Sequence, residues 1–184
     1  MLTAVTRARQ SNGFTLVELM VAVAVFAILI SVGLPTFRQM LKNYQVRVAA
    51  ESVANGLQRA RAEAVARNAP VQFVLSSGSS WTVDYVTKPV PTDPPIDTRS
   101  SGEGSANVAL VAVAGDLSTA ATTITFNNLG QVIANADASA ALGRVTVDAT
   151  AAGGNQTLRI TIGAGGNARV CDPSLPSTNV RYCP

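Results

Sequence analysis

The chain has 184 residues, 14 basic and 11 acidic, with 47% hydrophobic residues, 5% aromatic and no histidine. That length fits one domain of ordinary size plus a membrane-inserted helix. Without histidine, a CxxC pair, carboxylates at a useful spacing or a phosphate-cradling glycine loop, nothing points to catalysis, a metal or a cofactor. The net charge of +3 does not mark a nucleic-acid binder, because from Ser101 onward four arginines face five acids.

Residues 1–13 are polar and basic, with Arg7 and Arg9, and end in the poorly helical Ser11-Asn12-Gly13. From Phe14 to Leu34 there are twenty-one residues, of which only Glu18 is charged. As a helix this run rises roughly 30 Å, the thickness of a bilayer's hydrocarbon core. Thirteen of its residues are Leu, Ile, Val or Phe, each favouring insertion by about 0.3–0.6 kcal/mol. One carboxylate costs roughly 3 kcal/mol at mid-helix and less near an end, so the sum favours the membrane. The run is too long for a secretory signal, and Gly33-Leu34-Pro35 offers no small-residue cleavage pattern. Glu18 has two readings. Thr15-Leu16-Val17-Glu18 fits a capping box, and a lone acid in an apolar run is also what a partner's opposite charge would require. Pro35 has no amide for the carbonyl of Ser31, so a bend or looser turn is expected there.

Residues 36–70 continue the helical period. Phe37, Met40, Leu41, Tyr44, Val48, Leu57, Ala60 and Ala64 recur at three- and four-residue steps as one apolar stripe, with most charges, Arg61 and Arg67 among them, on solvated faces. Asn68-Ala69-Pro70 ends the helix. From Val71 the period becomes two. Val71–Leu75 and Trp81–Val86 flank a Ser/Gly turn as a hairpin. Thr87–Asn107, with Pro89, Pro91, Pro94 and Pro95, reads as a long exposed, mobile loop. Further strands are expected at Val108–Val113, Thr122–Phe126, Gln131–Ala134, Arg144–Asp148, Leu158–Ile162 and Ala168–Cys171, while Ala134–Leu142 fits a loop or a short helix. Strands at this spacing imply antiparallel sheets packed on the helical stripe, an α+β fold. Cys171 and Cys183 are an even count that reads as a disulfide outside the cytoplasm, with two free thiols as the alternative. Closing so short a loop contributes about 3 kcal/mol.

Gly13-Phe14-Thr15-Leu16-Val17-Glu18 at the start of the apolar helix resembles the type IV prepilin motif of pilins and of type II secretion pseudopilins. The resemblance implies that a prepilin peptidase cuts between Gly13 and Phe14 and methylates Phe14. Residues 1–13 are then a leader, 14–35 a transmembrane and filament-core helix, 36–70 its amphipathic half and 71–184 a β domain. It also implies that Glu18 pairs with the amine of a neighbouring pilin during assembly, and that the helix loosens near Pro35. Loss of Arg7 and Arg9 leaves twelve basic and eleven acidic side chains, a balance of +1.

Leu57 to Val71, the strand and turn Ile124-Thr125-Phe126-Asn127-Asn128-Leu129-Gly130, and Leu158–Ile162 followed by Gly166–Cys171 resemble GspH/FimT-type minor pilins and pseudopilins. The expected fold is thus pilin-like, a helical spine on antiparallel sheets. The expected role is a minor pilin in a pilus tip or assembly-initiation complex, with a type II secretion pseudopilin as one alternative. DNA uptake is the other, since some relatives carry G-R-x-R in the closing hairpin. Here Gly166 and Arg169 match and Asn167 replaces the first arginine. Arg144, Arg159, Arg169 and Arg181 are the candidate contacts to double-stranded DNA through its phosphates. Flanking charge does not decide topology, with Arg38, Lys42 and Arg47 beyond the helix. The leader and the cysteines together place the N-terminus in the cytoplasm. The chain is then single-pass in a bacterial inner membrane, with its C-terminal domain in the periplasm, before it enters a pilus or pseudopilus.

Overall fold

The computed structural model of the chain describes residues 14–149 and 156–183. The leader with its Gly13 therefore lies outside the described residues. The described residues form one helix and nine strands: α1 (Leu16–Arg67), β1 (Val71–Leu75), β2 (Trp81–Tyr85), β3 (Asp97–Arg99), β4 (Val108–Ala114), β5 (Thr123–Phe126), β6 (Val132–Ile133), β7 (Leu142–Ala149), β8 (Leu158–Ile162) and β9 (Ala168–Cys171). The chain divides into two compact units, one ending at Arg38 and the other beginning at Gln39.

In the first unit the helix begins as its sequence prescribes. The Glu18 amide donates to Thr15 Oγ1 at 3.2 Å, so Thr15 caps the N-terminus. The apolar side chains from Leu16 to Leu34 are exposed throughout, and an 18-residue window here reaches a mean hydropathy of 2.6. By length and composition the segment can cross a membrane. The helix is continuous through Pro35.

In the second unit the helix buries Val46, Ala49, Ala50, Val53, Leu57, Ala60 and Ala64, spaced by threes and fours. This corrects the expected stripe. Phe37, Met40, Leu41 and Tyr44 are exposed and Val48 is half-buried. Burial begins at Val46, beyond the exposed side chains, and from there the helix lies close on the sheets. Gly56 shows how close: a Cβ there would lie 2.8 Å from Phe73 and 3.0 Å from Trp81. Beside it the Trp81 indole donates to Ser52 Oγ at 2.8 Å, satisfying two buried polar atoms. Asn68, at φ 50°, ends the helix. The Ala69 and Asn68 amides bond the carbonyls of Ala64 and Val65 in a Schellman closure.

The strands form two antiparallel sheets, ordered β3-β2-β1-β5-β6 and β4-β7-β8-β9. Their inner faces share one core with the helix, including Phe73, Val83, Ile124 and Phe126 from the first sheet and Val145, Val147, Leu158 and Ile160 from the second. The proline-rich stretch corrects the loop expectation. It contains β3, paired to β2 with Trp81 opposite Arg99. It is also pinned by a buried Ser79–Ser105 hydroxyl pair at 2.6 Å, by the Ser101 amide on Ser80 Oγ at 2.9 Å and by a Lys88–Asp84 ion pair at 2.9 Å. Ala134–Leu142 is a loop with a turn, with β7 beginning at Leu142. It is organised by Asn135, 5% exposed, whose amide nitrogen donates to the carbonyls of Thr123, Ser139 and Ala140.

Candidate functional site

Two regions hold the residues singled out in the sequence, and each belongs to one unit. At the helix start, the hydroxyl of Thr15 occupies the Glu18 amide. The returning half of a capping box, from the Glu18 carboxylate to the Thr15 amide, is not formed. Glu18 is exposed, and its carboxylate has no ion-pair partner among the described residues. Phe14 just before it is 86% exposed. The first turn therefore presents a hydrophobic ring, a free acid and a run of uncovered apolar side chains. A carboxylate here also suits the positive end of the helix.

The second region is the outer face of the β4-β7-β8-β9 sheet. Arg144 on β7 and Arg169 on β9 both stand opposite Thr161 on β8. Directly opposed residues share a face, so these two arginines flank Thr161 on one side of the sheet. At strand spacings near 4.8 Å their backbones are about 10 Å apart. Arg159, two residues from Thr161 on the same strand, points to the same side. Three of the four candidate arginines are thus brought together. None of them meets a carboxylate among the described residues, and the Nε atoms of Arg144 and Arg159 are buried without a hydrogen-bond partner. Arg169 is partly engaged, since its guanidinium donates to the Val180 carbonyl. Arg181 enters through its backbone, its carbonyl accepting from the Asp172 amide at 2.8 Å.

The Cys171–Cys183 disulfide is formed, with Cα atoms 5.5 Å apart. It ties the C-terminal segment beside β9, where Asp172 and Tyr182 form a parallel bridge. At the other end of β9, in the turn from β8, the two motif glycines meet. A Cβ on Gly166, at φ +77°, would sit 2.6 Å from the Gly130 carbonyl and 2.9 Å from the Phe126 ring. That carbonyl also accepts from Arg61 Nε at 2.9 Å. Arg61 thus fastens the helix to the β5–β6 turn, which corrects its reading as a solvated charge. Arg67 likewise pairs with Glu63 and stacks over Tyr85, 5.2 Å from the ring centre. The Arg67–Glu63 pair follows the i,i+4 spacing of a helix, but spacing gave no signal for the Arg61–Gly130 or Arg67–Tyr85 contacts, which depend on a turn and a strand further along the chain. Among the described residues no group of three His, Cys, Asp or Glu side chains is arranged to hold a metal.

The model of type II transport protein GspH matches residues 49–166, which is 118 of the 184. That of the prokaryotic N-terminal methylation motif matches residues 8–34. No curated protein matches. Among solved structures, the minor pseudopilin EpsH of the Vibrio cholerae type 2 secretion system is similar at 14% identity. The match covers 71% of this chain and 99% of that one, with a TM-score of 0.50. The type IV minor pilin FimU of Pseudomonas aeruginosa is similar at 16% identity over 71% of this chain and 97% of that one, with a TM-score of 0.47. The likeness to EpsH bears on the fold alone: a long N-terminal helix packed on antiparallel sheets.

Proposed function

Because the chain belongs to the family of type II transport protein GspH, we propose that it is a minor type IV pilin, a subunit of the tip complex from which a pilus is assembled. Membership makes it a pilin-like structural subunit and not an enzyme. Its apolar helix anchors it in a membrane before incorporation into a pilus or pseudopilus. The finer reading assigns a prepilin peptidase cut between Gly13 and Phe14, methylation of Phe14, and an orientation with the β domain in the periplasm. In it Glu18 accepts the terminal amine of a neighbouring subunit, and Pro35 is where the helix loosens on assembly. The observation that carries this reading is Glu18, a carboxylate with no ion-pair partner among the described residues, set among exposed apolar side chains within the match to the methylation motif. Burial of such an acid in lipid or in a filament core favours a paired state strongly. Mass spectrometry of the protein recovered from its host tests the processing: a methylated Phe14 terminus is expected, and an intact Met1 refutes it. Recovery with sheared pili rather than with a secretion complex separates the pilus role from the pseudopilin alternative.

The arginine face favours DNA uptake as a second reading. Arg144, Arg159 and Arg169 share one side of a sheet without carboxylate partners among the described residues, which is an arrangement able to meet phosphates. Asn167 in place of an arginine and the engagement of Arg169 by Val180 weaken it. Binding to double-stranded DNA that weakens with added salt and is lost in Arg169→Ala would promote this reading. Absence of binding at low salt removes it.

A further inference from the structure

Between Glu18 and Glu51 the chain carries three cations, Arg38, Lys42 and Arg47, and no acid. The first of them stands four residues past Leu34, where the apolar run ends. Four residues of helix rise about 6 Å, and headgroups fill roughly the 5–7 Å outside a bilayer's hydrocarbon core on each side. The cationic stretch therefore starts within reach of lipid phosphates. Arg38 is exposed and has no ion-pair partner among the described residues. Arg47 meets Glu51 at 3.6 Å with both side chains more than half exposed, a pair too wet to hold it from a stronger anion.

Where the second unit begins, the helix is also apolar on the side away from the core. Met40, Leu41 and Tyr44 are exposed, and Val46, Ala49, Ala50 and Val53 are buried. At roughly 100° of turn per residue the first group centres opposite the second. The helix thus has two apolar faces here, and the sheets cover one. A tyrosine with a wet hydroxyl and basic side chains with long methylene stems are the residues that collect at a bilayer surface. A second copy of this stretch is a poor cover for the other face, since it brings three more cations and no acid. A layer of anionic headgroups supplies phosphates for the arginines and, beneath them, acyl chains for Met40 and Leu41.

We propose that residues 38–47 form a collar that binds the headgroups of anionic phospholipids, beyond the segment that spans the membrane. Arg38 and Arg47 meet lipid phosphates, Tyr44 lies among the headgroups, and Met40 and Leu41 dip toward the acyl chains. The collar makes the chain sensitive to lipid charge, which an apolar anchor is not. That goes beyond membrane anchoring, because an uncharged bilayer holds the apolar run equally well.

The test uses the full chain, one copy per lipid nanodisc, in phosphatidylglycerol and in phosphatidylcholine. Both cysteines are held in the disulfide, so a Met40→Cys variant takes a single spin label. Collision of that label with a neutral, water-soluble nickel chelate is measured in each lipid. Accessibility should be at least about threefold lower in phosphatidylglycerol, and added salt should narrow the difference. Arg38→Gln with Arg47→Gln should make the two lipids equal. A label at Val65→Cys, twenty-five residues further along α1, should not distinguish them. The chain is inserted in every arm, so the readout reports the collar and not the spanning segment. Equal accessibility at Met40→Cys in the two lipids overturns the proposal, as does a difference that survives in the double-arginine variant. Protection that appears only in discs loaded with two copies also overturns it, since the occupant is then the helix of another subunit.

Discussion

Gly166 stands at φ +77° with the Gly130 carbonyl and the Phe126 ring against its open side. Gly166→Ala adds a methyl group where backbone lies 2.6 Å away and places an L-residue in the left-handed region. The expected loss is about 2 kcal/mol or more, read as a lowered denaturation midpoint. Gly56→Ala sets two effects against each other. Helix propensity improves by about 1 kcal/mol, but the new methyl meets two aromatic rings held in the core, so net destabilisation is expected in the same assay. Asp116 titrates well below the usual carboxylate range, because the Thr119 and Ser118 hydroxyls and amides donate to its charged form. A depressed folded value means that its contribution is present above the unfolded value near pH 4 and is lost as pH falls below it. Asp116→Asn should therefore flatten the acid limb of a stability-versus-pH curve. At this scale the sequence paired Cys171 with Cys183 and marked Gly130 and Gly166, but gave no sign of Gly56 or of what the glycines touch. Gly130 and Gly166 are thirty-six positions apart, and only the two turns meeting in space explain both.

The single helix and its end at Asn68 were legible because period, capping and Pro70 agree. Eight of the nine strands were legible from alternation. β3 was hidden: three residues inside proline-rich chain are too short to show a period, and serine hydroxyls far along the sequence hold it. The buried helical face was misjudged for a related reason. The three- and four-residue period runs on through Phe37, Met40, Leu41 and Tyr44, but burial begins only at Val46, a limit that periodicity does not mark. The arginine face could be drawn up as a roster from sequence, but grouping Arg144, Arg159 and Arg169 on one side required the register. Opening the Cys171–Cys183 bond releases the segment beside β9 from a twelve-residue separation. Loss of about 3 kcal/mol is expected for Cys183→Ser, measured as a shift in denaturant midpoint under non-reducing conditions.

For the molecule as a whole, the two units pose different physical problems. The second holds a buried core, while the described residues of the first expose every large apolar side chain from Phe14 to Phe37. Glu18→Ala should leave the membrane-associated fraction unchanged, because removing a charge favours insertion. Incorporation into sheared filaments should fall several-fold. Unchanged incorporation removes the pairing role of Glu18. The narrow gap at Gly56 carries a consequence for anyone building hybrids. Grafting this stem onto another subunit's globular portion transfers a groove shaped for one particular pair of rings. Without Phe73 and Trp81 beneath it the graft leaves an empty slot, whereas a foreign stem bearing a bulkier residue at that level would prise the home sheet away.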